Sequence, residues 1–301
     1  AALDDRVRLY MSMGGNLVSA MSDTERVAEA IGKIDLSVQI STKMNRSHLV
    51  TGKTALILPC LGRTERDPGG FVTVENSMGL VHSSTGSLEP ASPMLLSEPE
   101  IVRRIGSACF PNGPFEWQSL SDHDSVRELI SRCVPGFEDY NSRSRERGGF
   151  YLPNGPRDGP VWATASGKAH FFCHGLPERK LDEGRFVLMT VRSHDQYNTT
   201  IYGMDDRYRG IYNARRIVMM NEEDMSHIGV AGGDEVDITS HWGERQIHSE
   251  RWKVVPYDIP RGNLCSYFPE ANVLVPLEST AEGSNTPTSK WIEVSLSPRA
   301  A

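Results

Sequence analysis

Two strand-like runs, Arg216-Ile-Val-Met-Met220 and Glu235-Val-Asp-Ile-Thr239, are joined by Asn221-Glu-Glu-Asp-Met-Ser-His-Ile-Gly-Val-Ala-Gly-Gly-Asp234, which has room for one brief helix and one turn. Asn221 suits the helix N-cap. Glu222, Glu223 and Asp224 then place negative charge in the first turn, where the helix dipole favours it. Gly229 suits the helix stop, and Gly232-Gly233-Asp234 suits a turn with positive φ. Strand, acidic helix, Gly-Asp turn and strand make a compact unit of the kind that closes a β-barrel. Taken alone, it is equally a plain β-helix-β corner.

The rest of the chain supplies the strands such a corner would join. Arg185–Val191, Arg251–Val255, Asn263–Phe268 and Trp291–Leu296 read as further short strands, and a small closed barrel over 181–301 follows. Upstream the pattern changes. Arg8–Met13 reads as a strand, Ser22-Asp-Thr-Glu25 as a capping box, and Val27, Ala30, Ile31 and Ile34 fall at helical spacing. Leu36–Ile40 and Thr54–Leu58 are further strands, so a βαβ unit and a parallel sheet are predicted. One such unit is thin for a doubly wound domain. Residues 1–150 are therefore expected to be the second part of a larger Rossmann-like α/β domain whose first half lies outside this chain. Ser97 caps a predicted helix through Ile101, Val102 and Ile105. Gly, Pro, Asn and Arg crowd 134–160, and 151–180 is expected to link the two domains. The expected class is α/β plus β.

Composition narrows the function. With 38% hydrophobic and 24% charged residues, this is an ordinary globular chain. A net charge of −7 argues against a nucleic-acid binder, which needs a basic face, although a local basic pocket can hold one nucleotide. No apolar run approaches ~18 residues, so no membrane span is expected. The opening residues lack a signal-peptide apolar region. Five cysteines, at 60, 109, 133, 173 and 265, are widely spaced without a CxxC pair. That usage predicts a reducing, cytoplasmic location and gives no seed for an iron–sulfur or zinc site.

Several loops concentrate ligand-binding chemistry. Gly14-Gly15-Asn16 lets the backbone approach a ligand ahead of a helix, and is also an ordinary tight turn. Ser41, Thr42, Asn45, Arg46 and His48 follow the second strand at the carboxyl edge of the sheet, where open α/β folds bind ligands. They suit a polar nucleotide, or a solvated loop. Arg192, His194, Asp195, Gln196 and Asn198 crowd the end of the first barrel strand, and Arg192 offers a planar fork to a diphosphate. The His194-Asp195 pair raises a hydrolase, but no Gly-x-Ser-x-Gly elbow supplies a nucleophile. Arg215 and Arg216 are either ligand groups or an exposed basic pair. His170, Cys173 and His174 fall short of a tetrahedral set, so no metal site is expected there. No catalytic residue is assigned.

Together these segments resemble the molybdopterin oxidoreductases of the DMSO reductase superfamily, most closely the formate-dehydrogenase-like α-subunit branch. The resemblance rests on Gly14-Gly15-Asn16, Asn45-Arg46-Ser47-His48-Leu49, Leu56-Ile-Leu-Pro59 with Gly62-Arg-Thr-Glu65, and Ser166-Gly-Lys-Ala169. Beyond these it rests on Asn221–Val236, Glu270–Pro276 and Asn285-Thr-Pro-Thr-Ser-Lys290. It covers nearly the whole chain and corresponds to the C-terminal half of the family's. Gly52-Lys-Thr54 departs from the family's usual Ala-Asp before the third strand.

The resemblance implies a six-stranded double-psi barrel that holds molybdopterin guanine dinucleotide, with molybdenum or tungsten. Implied cofactor contacts are Gly14, Gly15, Asn16, Ser41, Thr42, Asn45, Arg46 and His48, then Arg192, His194, Gln196, Asn198, Asn272 and Lys290. It implies two-electron redox chemistry performed by the cofactor. The missing N-terminal half, in the same or a separate chain, would bear the metal's ligand and any iron–sulfur cluster. The other partners would be a small-molecule substrate and an electron carrier that the sequence does not identify. The alternative is a non-catalytic cofactor-binding or assembly module completed by a separate N-terminal partner. Arg192, Asn272 and Lys290 are expected to share one concave polar surface facing Gly14–Asn16.

Overall fold

In the computed structural model, which describes residues 1–159, 161–176, 178 and 180–299, the chain opens with β1 (Leu9–Met13), the single turn α1 (Leu17–Ala20), α2 (Thr24–Lys33), β2 (Leu36–Ser41) and β3 (Thr54–Pro59). The strands form a parallel sheet in the order β1-β2-β3, as the strand-helix-strand spacing predicts. Helix α2 buries Val27 and Ile31, one face, against a cluster that includes Tyr10 and Leu17. Its start differs from expectation. The N-cap is Asp23 rather than Ser22, with φ 52° and no side-chain capping bond. The Asp23 carboxylate pairs instead with Arg245 and accepts from the Leu277 amide at 3.4 Å. Tertiary partners outcompete the local cap.

Next come β4 (Val72–Glu75), β5 (Leu80–Ser84), α3 (Glu98–Cys109), α4 (His123–Cys133), α5 (Tyr140–Arg143), β6 (Phe150–Tyr151) and α6 (Gly155–Asp158), with β4-β5-β6 forming an antiparallel sheet. The stretch 134–160, expected as loop, thus holds three short elements. Val81, Tyr140 and Phe150 make their core. The described residues form two compact units. One comprises Ala1–Gln39, Met44–Ile57 and 177–301, the other Ile40–Lys43 and Leu58–Leu176. The first βαβ segment therefore shares a unit with the C-terminal strands.

Those strands are β7 (Phe186–Val191), β8 (Ile217–Met220), then, after α7 (Glu222–Ile228), β9 (Glu235–Trp242), β10 (Arg245–Pro256), β11 (Asn263–Tyr267) and β12 (Ile292–Pro298). They close into the expected six-stranded barrel, in the order β10-β8-β11-β7-β12-β9. The pairs β10–β8 and β11–β7 are parallel and the others antiparallel. Trp252 is fully buried at the centre, among Leu188, Met220, Ile238, Leu264 and Val294. A register break between Ser249 and Trp252, with Arg251 at φ 59°, allows both of those residues to face inward.

The corner unit forms as its residues dictate. Asn221 Oδ1 accepts from the Glu223 amide at 2.9 Å, and Gly229 ends α7 at φ 74°. Asp224 does more than complement the dipole. Its buried carboxylate accepts from Arg261 Nε at 3.0 Å and from the Gly262 amide at 2.6 Å, clamping the turn between β10 and β11. No helix among the described residues is long and apolar enough to cross a membrane.

Candidate cofactor-binding site

Two of the expected loops meet. Asn45 Nδ2 donates to the Gly15 carbonyl at 3.0 Å, and Ser47 Oγ donates to Asn16 Oδ1 at 3.1 Å. Gly14 turns the first loop at φ 63°, a conformation glycine adopts without strain. The second loop is a 3-10 turn over Arg46–Leu49, closed by reciprocal bonds: Asn45 Oδ1 accepts from the Ser47 amide, and His48 Nδ1 accepts from the Asn45 amide, both at 2.9 Å. His48 Nδ1 also lies 3.2 Å from the Asn45 carbonyl oxygen and 3.2 Å from Asn45 Oδ1, so Nε2 is the ring nitrogen left to face away from this turn. That nitrogen is buried without a hydrogen-bond partner among the described residues. Ser41 and Thr42 belong to the other compact unit, where the Ser41 hydroxyl donates to the Lys43 carbonyl at 2.7 Å.

The residues after β7 are largely engaged with one another. Arg192 Nη2 donates to Asn198 Oδ1 at 2.7 Å. Gln196 is spent inside the loop: Oε1 accepts from the Ser193 amide at 3.0 Å, and Nε2 donates to the Phe268 carbonyl at 2.7 Å. His194 does not pair with its neighbour Asp195, which faces Arg207 at 3.4 Å. Its carboxylate is Asp206, 3.5 Å from Nδ1.

A cleft of about 720 Å³ within the same unit is lined by Thr24, Glu25 and Arg46 of the N-terminal segment and by Tyr202, Arg215 and Arg216 of the barrel. Arg215 is buried and neutralised, bidentate to Glu270 at 2.8 and 3.0 Å. Among the described residues Arg216 donates to neutral acceptors, the Glu250 carbonyl and the Ser249 hydroxyl, each at 2.8 Å. The Glu250 carboxylate is taken by Arg299 at 3.2 Å. Neither Arg46 nor Arg216 has an ion pair among the described residues. Burial pulls the Arg216 guanidinium below its ordinary pKa, Glu250 opposes this, and the charge of Arg46 adds to it. Two unpaired guanidiniums, one partly desolvated, fit an anion such as a diphosphate. Glu25 makes no ion pair among the described residues, although its charge acts on Arg216, and its carboxylate can accept from a heterocycle's N–H groups. Of these lining residues, sequence reasoning singled out Arg46 and left Arg216 open. Thr24 and Glu25 read only as part of a capping box, and Tyr202 carried no local signal.

The expected shared surface of Arg192, Asn272 and Lys290 is not how their side chains are used. Asn272 is 3% exposed and donates to the carbonyls of Ser19 and Ala20. Lys290 donates to the Thr190 carbonyl, and Arg192 to Asn198. Each is drawn to a separate acceptor.

Residues 186–292 match the family model of the molydopterin dinucleotide binding domain. That segment of the chain belongs to the molydopterin dinucleotide binding domain family. It is 48% identical over 311 residues to an uncharacterized oxidoreductase of Mycobacterium bovis, a match that covers 100% of this chain and 40% of that protein. It is 41% identical over 304 residues to protein YdeP of Escherichia coli K12, covering 97% of this chain and again 40% of the relative. The chain thus spans about 40% of the length of these curated relatives. Acetylene hydratase from Pelobacter acetylenicus shares the fold, with TM-score 0.64 over 96% of this chain and 44% of its own, at 14% identity. The matched residues fall within the six-stranded barrel.

Proposed function

We propose that the chain is the cofactor-holding portion of a formate-dehydrogenase-like oxidoreductase and binds molybdopterin guanine dinucleotide, with molybdenum or tungsten. The observation that carries this reading is the cleft in which Arg46 and Arg216 make no ion pair among the described residues, although the carboxylates of Glu25 and Glu250 share its lining. Their guanidiniums suit the diphosphate. Glu25 suits the amino-pyrimidinone edge that guanine and pterin share. The buried His48 Nε2 has no hydrogen-bond partner among the described residues, and a bound ligand would supply one. When bound, the cofactor supplies the two-electron chemistry, and the residues of this chain bind and orient it. Gly14–Asn16, Ser41, Thr42 and Asn45 are proposed as backbone and side-chain contacts along the loops, and Arg192, His194, Gln196, Asn198, Asn272 and Lys290 as contacts or supports at the barrel rim. The metal's ligand, any iron–sulfur cluster, the small-molecule substrate site and the docking site of the electron carrier are assigned to protein outside this chain.

Protein purified from a molybdenum-replete, cofactor-competent host should release guanine nucleotide on acid treatment and yield the fluorescence of oxidised pterin. Arg46→Ala and Arg216→Ala should each reduce retained pterin by about tenfold or more, since a charge-assisted hydrogen bond is worth about 1.5–3 kcal/mol. Pterin-free protein from that host, or full retention in both variants, rejects the reading.

A further inference from the structure

The loop after β7 buries a carboxylate beside a histidine. Asp206 is 2% exposed. Its Oδ2 accepts from Tyr267 Oη at 2.8 Å, Arg209 Nη1 at 2.6 Å and the His194 backbone amide at 3.3 Å. Its Oδ1 is buried with no hydrogen-bond partner among the described residues, and His194 Nδ1 stands 3.5 Å from it. The imidazole rests against the Tyr208 ring with centroids 4.3 Å apart, and stays half-exposed. Backbone bonds between Asp206 and Ile211, at 2.7 and 3.1 Å, hold the carboxylate in place. Burial opposes its ionisation, but the bonds from Arg209, Tyr267 and the His194 amide outweigh burial and keep its pKa below the usual carboxylate range. An ionised, immobile carboxylate oxygen that lacks a donor among the described residues therefore faces one nitrogen of a ring that is half-exposed to solvent.

We propose that Asp206 is a positioning residue for His194: its orphan oxygen holds the proton on Nδ1 and leaves Nε2 facing outward as a hydrogen-bond acceptor for an N–H group of the bound cofactor. The same logic orients histidines elsewhere, because the partner of one ring nitrogen decides what the other can do. The ligand half of this proposal rests on the cofactor reading above; the tautomer half does not.

Long-range 1H–15N correlation spectra of the 15N-histidine-labelled protein, taken well above the imidazole pKa, report which nitrogen carries the proton. His194→Gln assigns the signal. Wild-type protein should show His194 protonated at Nδ1. In Asp206→Asn, Tyr267 and Arg209 keep the amide oxygen on their side, which turns the NH2 group towards Nδ1, so the ring should switch to the Nε2–H form. A wild-type Nε2–H tautomer overturns the proposal whatever the variant does, and so does a tautomer unchanged in Asp206→Asn. On cofactor-loaded protein, Asp206→Asn should lose as much pterin as His194→Ala, with no further loss in the double variant. If His194→Ala retains all its pterin while Arg46→Ala does not, the ligand role of His194 fails and the cofactor reading survives.

Discussion

The side-chain amide of Asn272 donates to the carbonyls of Ser19, at 2.9 Å, and Ala20, at 3.1 Å, 253 and 252 positions away in the chain. The backbone carbonyl of Asn272 in turn accepts from the Asp23 amide at 2.9 Å. Helix α1 is a single turn, so its final carbonyls have no intrahelical donors. One barrel residue satisfies them and also fixes the start of α2. The βαβ segment and the barrel are one unit partly through this side chain.

Asn272→Ala should lower unfolding stability by about 1–3 kcal/mol, because it strands the buried Ser19 carbonyl and loses the part-buried bond to Ala20. Asn272→Asp should cost more, since a carboxylate cannot donate to them. Urea midpoints equal to wild type in both variants would show that the link is dispensable.

Trp252→Ala should cost about 3–5 kcal/mol, the range for emptying a large aromatic site in a packed core. Trp252→Phe should cost much less, because it chiefly removes the indole bond to Ser249 Oγ at 3.1 Å. The ordering Ala worse than Phe, measured by denaturant unfolding, is the check. Equal losses would mean that the hydrogen bond rather than the ring dominates.

Acid stability should depend on Glu100 in α3. Bidentate bonds from Arg103, at 2.6 and 2.7 Å, with a further bond from Arg104, outweigh burial and lower its carboxyl to about 2. A pKa lowered in the folded state stabilises fully above the unfolded value near ~4.3 and is lost as pH falls towards the folded one. The contribution is on the order of 2 kcal/mol once partial exposure is discounted. Glu100→Gln should therefore flatten the acid decline of Tm between roughly pH 4.5 and pH 2. Superimposable acid limbs for the two proteins would contradict this.

Gly229→Ala should destabilise by about 1 kcal/mol, because φ 74° is left-handed backbone that a Cβ disfavours even with open space around it. Asn221→Ala should cost about 1 kcal/mol through the lost cap. The two sit at opposite ends of α7, so a thermal melt of the double variant should show roughly additive losses.

What could be read from the residues follows a physical division. In β9, Val236 and Ile238 alternate with partly exposed Asp237 and Thr239, and this period-two signal survives folding because one face meets the core. The corner after β8 was legible because Asn221, Gly229 and Gly233 each meet a local backbone demand. The length of β10 was hidden, since the bulge at Arg251 breaks its alternation and its first half is mostly polar. Ser22 misled because the helix starts one residue later, at Asp23, whose carboxylate is claimed by Arg245 far along the chain. The pairing of His194 with Asp206 was masked by the adjacent Asp195, and the meeting of Arg46 with Arg216 has no local signature.

The Ser249 hydroxyl accepts from two donors at once, Trp252 Nε1 at 3.1 Å and Arg216 Nη2 at 2.8 Å, and the Arg216 guanidinium lies 4.9 Å from the centre of the Trp252 ring. An anion that draws Arg216 towards itself must change both the charge above that indole and the share of the hydroxyl it receives. The barrel therefore contains its own optical gauge: of the five tryptophans, Trp252 is the one whose emission should shift as the cleft fills. A spectral change on loading that persists in Trp252→Phe would place the gauge elsewhere.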